Sequence, residues 1–89
     1  MKENQLEKIL KGFASKRRIK ILFYLEKNPE SSLKEISKSI KLKFRGVSQH
    51  IEKMKNAGLI AKRNDNVNVR HKLTGRGIKV LKFLKSFKE

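Results

Sequence analysis

Phe44-Arg45-Gly46-Val47-Ser48-Gln49-His50-Ile51-Glu52-Lys53-Met54-Lys55-Asn56-Ala57-Gly58-Leu59-Ile60 is the stretch that decides the fold. At about 100° per residue, Val47, His50, Ile51, Met54 and Gly58 gather on one side of a helix running from about 44 to 57. Arg45, Gln49, Glu52, Lys53 and Asn56 gather opposite, with Gly46 and Ser48 flanking. The first group is a core face and the second a polar one. A polar face by itself is what any surface helix carries. This one begins with Arg and Gln, whose side chains match the hydrogen-bonding edges of guanine and adenine. Gly58 stops the helix, and the periodicity changes after it.

The neighbouring segments give that helix its meaning. Residues 41–43 leave room only for a turn. Before the turn, Ser32 with Glu35 three residues later forms a capping box and opens a helix with Leu33, Ile36 and Ile40 inward. Further upstream, Ser15 caps a helix that runs to about Lys27 with Ile19, Leu22 and Leu25 as its inner stripe and Phe23 beside it. Asn28-Pro29 ends that helix, since the residue before Pro avoids helical geometry. Leu6, Ile9, Leu10 and Phe13 mark a first helix over about 4–13, with Gly12 near its stop. Downstream, 59–63 and 67–73 read as strands around the tip Asn64-Asp65-Asn66, with Val67, Val69, His71 and Leu73 on one face. Thr74 caps a last helix of about 75–87, whose first turn Gly75 and Gly77 weaken. The predicted class is mainly α with a β-hairpin, in the order α-α-α-α-β-β-α. Two short helices joined by a tight turn, the second followed by a hairpin, make a winged helix-turn-helix. In that motif the second helix enters the major groove.

Composition points the same way. The 89 residues hold 24 Lys and Arg against 8 Asp and Glu, a net charge of +16. Such a length suits one domain, 1–89. The charge is spread almost evenly, with net +4, +5, +3 and +4 over residues 1–31, 32–58, 59–74 and 75–89, so it belongs to folded surface rather than to a tail. Solubility requires a net charge of only about 2–8 on a small domain. The excess implies a polyanion, and counterion release from nucleic acid is its natural use. The absence of cysteine excludes a disulfide framework, a thiolate zinc site and a Cys nucleophile. The longest apolar run, Ile21 to Leu25, is far too short for a membrane span. No signal-peptide pattern opens the sequence. Two histidines and eight scattered carboxylates assemble no nucleophile–base or carboxylate pair. No enzyme, metal or cofactor is therefore expected.

The segment from Val47 to Ile60 resembles the recognition-helix segment of ArsR-like bacterial and archaeal regulators, which reads V-S-x-H-L-x-x-L-x-x-A-G-L-V. Ser15-Lys16-Arg17-Arg18-Ile19-Lys20-Ile21-Leu22 resembles the opening of that family's second helix. His71-Lys72-Leu73-Thr74, with Gly77, resembles the wing end shared with MarR-like proteins. The resemblance covers nearly the whole chain. It implies a cytoplasmic, nucleoid-associated transcriptional regulator, bacterial or archaeal, that binds a palindromic double-stranded DNA operator as a homodimer. Two departures stand out. Lys41 occupies a turn position that commonly carries Gly, and a left-handed lysine there is strained. Lys43 replaces the usual Ser or Thr cap of the recognition helix, placing positive charge at the positive end of the helix dipole. Many metal-sensing members use cysteines, which this chain lacks.

On this reading Arg45, Gly46, Ser48, Gln49 and Lys53 read bases. Arg17, Arg18, Lys34, Lys41, Lys43 and His50 meet the DNA backbone around the motif. Along the wing (about 59–73), Lys62, Arg63, Asn64, Asn66 and Arg70 meet the flanking backbone or minor groove, although Asp65 would hold the tip off phosphate. His50 reads as a packing or phosphate-contact residue and His71 as core. In the last helix Val80, Leu81, Phe83, Leu84 and Phe87 span an arc of roughly 160°, more than one small core can cover. With Leu6, Ile9, Leu10 and Phe13 they are expected to form a twofold dimer interface between the first and last helices, about 4–13 and 75–87. The competing arrangement packs both helices within one chain. Two other functions stay open beside the regulator. One is an architectural protein that coats DNA with little sequence preference; the other is a winged-helix module for an acidic protein partner.

Overall fold

Side-chain caps start three of the five helices at the positions their sequence signals indicate. In the computed structural model, which describes residues 1–88, Ser15 Oγ accepts the Arg18 N–H at 3.1 Å and opens α2 (Lys16–Lys27). Ser32 and Glu35 form the reciprocal capping box of α3 (Leu33–Ile40), with bonds of 3.2 and 2.9 Å. Thr74 Oγ1 accepts the Gly77 N–H at 3.0 Å to open α5 (Gly75–Lys85), and donates back to the Gly58 carbonyl at 2.5 Å. The remaining helices are α1 (Glu3–Phe13) and α4 (Phe44–Asn56), and the hairpin is β1 (Ile60–Asp65) with β2 (Asn68–Leu73). The order is α-α-α-α-β-β-α, as the sequence predicts. None of the described helices is long and apolar enough to cross a membrane.

α2 lies at the centre and packs against α1, α3, α4, α5 and β2. Its Ile21, Leu22 and Leu25 are buried with Ile36 of α3 and with Val47, Ile51 and Met54 of α4. The core face read from the α4 sequence is therefore the buried one. Leu59, Ile60 and His71 close the core from the hairpin side. Gly12 does not stop α1 but lets it approach α4: a Cβ there would lie 2.5 Å from the Ala57 Cβ. Gly58, at φ +79°, ends α4 as a left-handed residue with no Cβ to strain.

The hairpin differs from its expected register. β1 runs on to Asp65, and Asp65 pairs with Asn68, so the tip is the two residues Asn66 and Val67. The cause is local: Asp65 Oδ1 accepts the N–H groups of Val67 at 3.2 Å and Asn68 at 2.8 Å, an Asx turn. Asn64 consequently sits within β1 opposite Val69, and Arg63 sits mid-strand opposite Arg70 instead of beside the tip. Val67 and Val69 are exposed, leaving His71 and Leu73 as the inward part of the expected apolar face. The short segment at Ser31 adds a bridge to β2. The Ser31 carbonyl accepts the His71 N–H at 2.9 Å, and His71 Nδ1 lies 2.9 Å from the same oxygen.

The terminal helices also differ from expectation. Phe13, Val80 and Leu81 are buried in the chain's own core and are not open to a second copy, because α1 and α5 both pack on α2. Leu6, Leu10, Phe83 and Phe87 remain exposed, and Ile9 and Leu84 are half-buried. α5 ends at Lys85, so Phe87 lies just beyond it, where its ring meets Phe83 edge-on at 5.1 Å.

Candidate nucleic-acid interface

The geometry of the α3–α4 turn follows from two lysines. Lys41 takes the left-handed conformation, φ +57° and ψ +49°, and its N–H caps α3 at the Ser37 carbonyl. Ser37 Oγ donates to the Leu42 carbonyl and ties the turn to α3. Lys43 is the N-cap of α4 and makes no side-chain capping bond, as its chemistry requires. A left-handed non-glycine residue is unfavourable by about 1–2 kcal/mol, so the turn holds a lysine at some cost to stability.

α4 presents Arg45, Ser48, Gln49, Glu52 and Lys53 to solvent. Arg45, Ser48 and Gln49 cluster in its first half, the part that reaches base edges in this motif. Gly46 is half-buried, and a Cβ on it would lie 3.1 Å from the Leu42 side chain, so it packs closely against the turn. Lys53 lies roughly 13 Å further along the axis than Phe44. There it lines a cleft with Lys8, Lys11 and Gly12 of α1, away from the start of α4.

Around this end, Arg17, Lys34, Lys41, Lys43 and Arg45 enter no ion pair among the described residues. Arg17 lines a cleft of about 380 Å³ with Lys16, Lys20 and His50, and no carboxylate among the described residues shares it. Arg18 is placed differently from Arg17. Its Nε donates to His50 Nδ1 at 3.0 Å and its guanidinium also donates to the Lys11 carbonyl, so it ties α1, α2 and α4 together. With Nδ1 accepting, the neutral imidazole carries its proton on Nε2. Burial, then the charges of Arg18 and Arg17, holds the His50 imidazole below the usual histidine value.

Three of the four wing cations, by contrast, already have partners; Lys72 enters no ion pair among the described residues. Lys62 bonds Glu52 at 3.0 Å, Arg63 bonds Glu30 at 3.1 Å, and Arg70 bonds Asp65 at 2.8 Å with Glu35 at 3.6 Å. Folding brings carboxylates from α4, from the α2–α3 loop, from the end of β1 and from α3 onto them. The Asp65 carboxyl is held down to about 2 by the Arg70 hydrogen bond, helped by the Asn68 and Val67 N–H groups. Asn64 and Asn66 are exposed on the wing and stay available to a backbone.

Two residues gain roles that sequence reasoning did not give them. Arg76 of α5 donates to the Ala57 carbonyl at 3.1 Å, satisfying the end of α4. Nothing local to its sequence points across the hairpin to that carbonyl. Phe44 opens α4 and is 53% exposed although it is aromatic. Its spacing, three residues before Val47 and seven before Ile51, continues the core stripe, so periodicity gives no signal of that exposure.

Comparison with solved structures finds this fold repeatedly. HlyU from Vibrio cholerae aligns at 26% identity and TM-score 0.83 over 99% of this chain and 98% of that one. NolR from Sinorhizobium fredii aligns at 22% and 0.86 over 96% and 85%. The homodimeric winged helix-turn-helix domain of Mb0332 from Mycobacterium bovis, described as a possible ArsR-family transcriptional regulator, aligns at 19% and 0.84 over 93% and 77%. Comparison with curated protein sequences finds no match. The winged helix-turn-helix DNA-binding family model matches residues 15–61, more than half of the sequence and the whole of α2, α3 and α4. On that match the chain belongs to the winged helix-turn-helix DNA-binding family.

Proposed function

We propose that this chain is a DNA-binding transcriptional regulator of the ArsR-like type, working in the cytoplasm as a homodimer on double-stranded operator DNA. The observation that carries the reading is the first half of α4: Arg45, Ser48 and Gln49 are exposed together, and the cations around them have no acidic partner among the described residues. Arg45 and Gln49 supply the base-reading chemistry. Arg17, Lys34, Lys41 and Lys43 supply phosphate contacts that set register. The exposed Leu6, Leu10, Phe83 and Phe87 supply a self-complementary apolar surface in which α1 and α5 of residues 1–89 meet their copies. The homodimeric Mycobacterium bovis domain of the same fold supports this assembly. A twofold dimer would set its two α4 helices on half-sites about 34 Å apart.

The test is selection of bound duplexes from a random pool, followed by affinity for the winner against a scrambled duplex, with sedimentation of the free protein. The expected result is a dimer and an enriched palindrome bound at least about a thousandfold more tightly than the scrambled duplex, at the lower end of the range of specific DNA binders, about 10³–10⁷. Tight binding with no enriched sequence would replace the regulator with a DNA-coating protein.

A further inference from the structure

We propose that Phe44 reads the 5-methyl group of a thymine in each half-site. The inference rests on the proposed entry of α4 into the major groove and adds a base preference that the polar residues cannot supply. Phe44 is the first residue of α4, immediately before Arg45, and one turn before Ser48. Its ring is half exposed and lies outside the apolar core. Among the described residues it pairs with no other ring and no cation. With Leu33, Val67 and Val69 it lines a cleft of about 360 Å³ between the helix-turn-helix and the wing, and Lys34 stands at the same cleft. A phenyl ring makes no hydrogen bond to a base edge. The one apolar feature that bases present in the major groove is the thymine methyl. A ring at the leading end of the recognition helix, beside a cationic side chain that can hold a strand by its phosphate, has that methyl as its chemical complement. Burying it removes both apolar surfaces from water.

The test uses the duplex enriched by selection and replaces its thymines with deoxyuridine one at a time, which deletes only the methyl group. Wild-type protein should lose about fourfold in affinity at one thymine per half-site, the size expected for one buried carbon. Phe44→Ala removes the ring from both half-sites of the dimer, so it should lose about the square of that factor on the thymine duplex and nothing more on a duplex with deoxyuridine at both positions. Phe44→Leu should keep the methyl sensitivity. Circular dichroism checks that the variants are folded, and the deoxyuridine series on wild-type protein needs no variant at all. Enriched duplexes without a fixed thymine, no deoxyuridine-sensitive position, or equal losses for Phe44→Ala on both duplexes would each overturn the assignment while leaving the regulator reading in place. Failure to enrich any sequence would remove that reading and this assignment with it.

Discussion

The start of α4 and the wing are both rich in Lys and Arg, yet they handle that charge in opposite ways. Around α4, Arg17, Lys34, Lys41, Lys43 and Arg45 meet no carboxylate among the described residues. In the wing, three of the four cations are paired: Lys62 with Glu52, Arg63 with Glu30, and Arg70 with Asp65 and Glu35. Net charge by segment conceals this contrast, because three of those four carboxylates come from outside the hairpin. The footprint on a polyanion is decided by which cations the fold leaves unpaired, not by how many a segment contains.

The largest effect that can break the contrast is the salt dependence. A dimer touching roughly 6–10 phosphates should lose about 10³–10⁵ in affinity between 50 and 200 mM salt. Lys43→Ala should make the dependence shallower, by roughly one counterion for each lysine removed from the dimer. Arg63→Ala should leave the slope nearly unchanged, because Arg63 already neutralises Glu30. Equal changes in slope for both variants, measured by fluorescence anisotropy, would erase the distinction.

Base reading gives the next effect. Arg45→Ala or Gln49→Ala should weaken binding of the enriched duplex by about 1–3 kcal/mol and the scrambled duplex much less. Arg70→Ala should instead loosen the wing, visible as faster amide exchange at Val67 and Asn68, since Arg70 holds the carboxylate that accepts those N–H groups. Equal losses on both duplexes for the α4 variants would assign them to phosphate.

The turn sharpens the comparison by setting stability against binding. Lys41→Gly removes the left-handed strain and should stabilise the fold by about 1 kcal/mol. The same change removes an unpaired cation beside α4, so DNA affinity should fall as the melting temperature rises. A variant that gained both would show that Lys41 does not face phosphate.

The smallest effect is in pH. The imidazoles of His50 and His71 are both held below the ordinary 6.5, chiefly by burial, with the Arg18 and Arg17 charges acting on His50 and the Lys62 charge on His71. Below pH 6.5 the unfolded chain therefore binds more protons than the folded one. The stability is fully present above 6.5 and is lost as pH falls beneath it. His71→Gln should flatten part of that loss in thermal melts between pH 7.5 and 5.5. The Asp65 contribution has a separate window: it is present above 3.8 and lost only as pH falls towards about 2.

Element order and the α4 faces were legible in the sequence because their signals are local. Ser15, Ser32 with Glu35, and Thr74 each satisfy an N–H group within three residues. Val47, Ile51 and Met54 share a face by helical spacing alone. Lys41 and Lys43 could be identified in advance as a strained turn and an unsatisfied cap, because backbone conformation and capping concern one or two residues. The tip register was within reach too, had Asp65 been weighted as an Asx-turn residue.

Tertiary structure alone decided which charges and apolar groups were left over. Arg63 finds Glu30 across 33 positions, and His71 finds the Ser31 carbonyl across 40. Phe13, Val80 and Leu81 became core, while Leu6, Leu10 and Phe83 on the same two helices stayed exposed. Periodicity specifies which side of a helix is apolar but not how much of that side the rest of the chain covers. That depends on helix packing and on close approaches such as Gly12 against Ala57. Charge pairing is set by the same distances, which one-dimensional spacing does not contain.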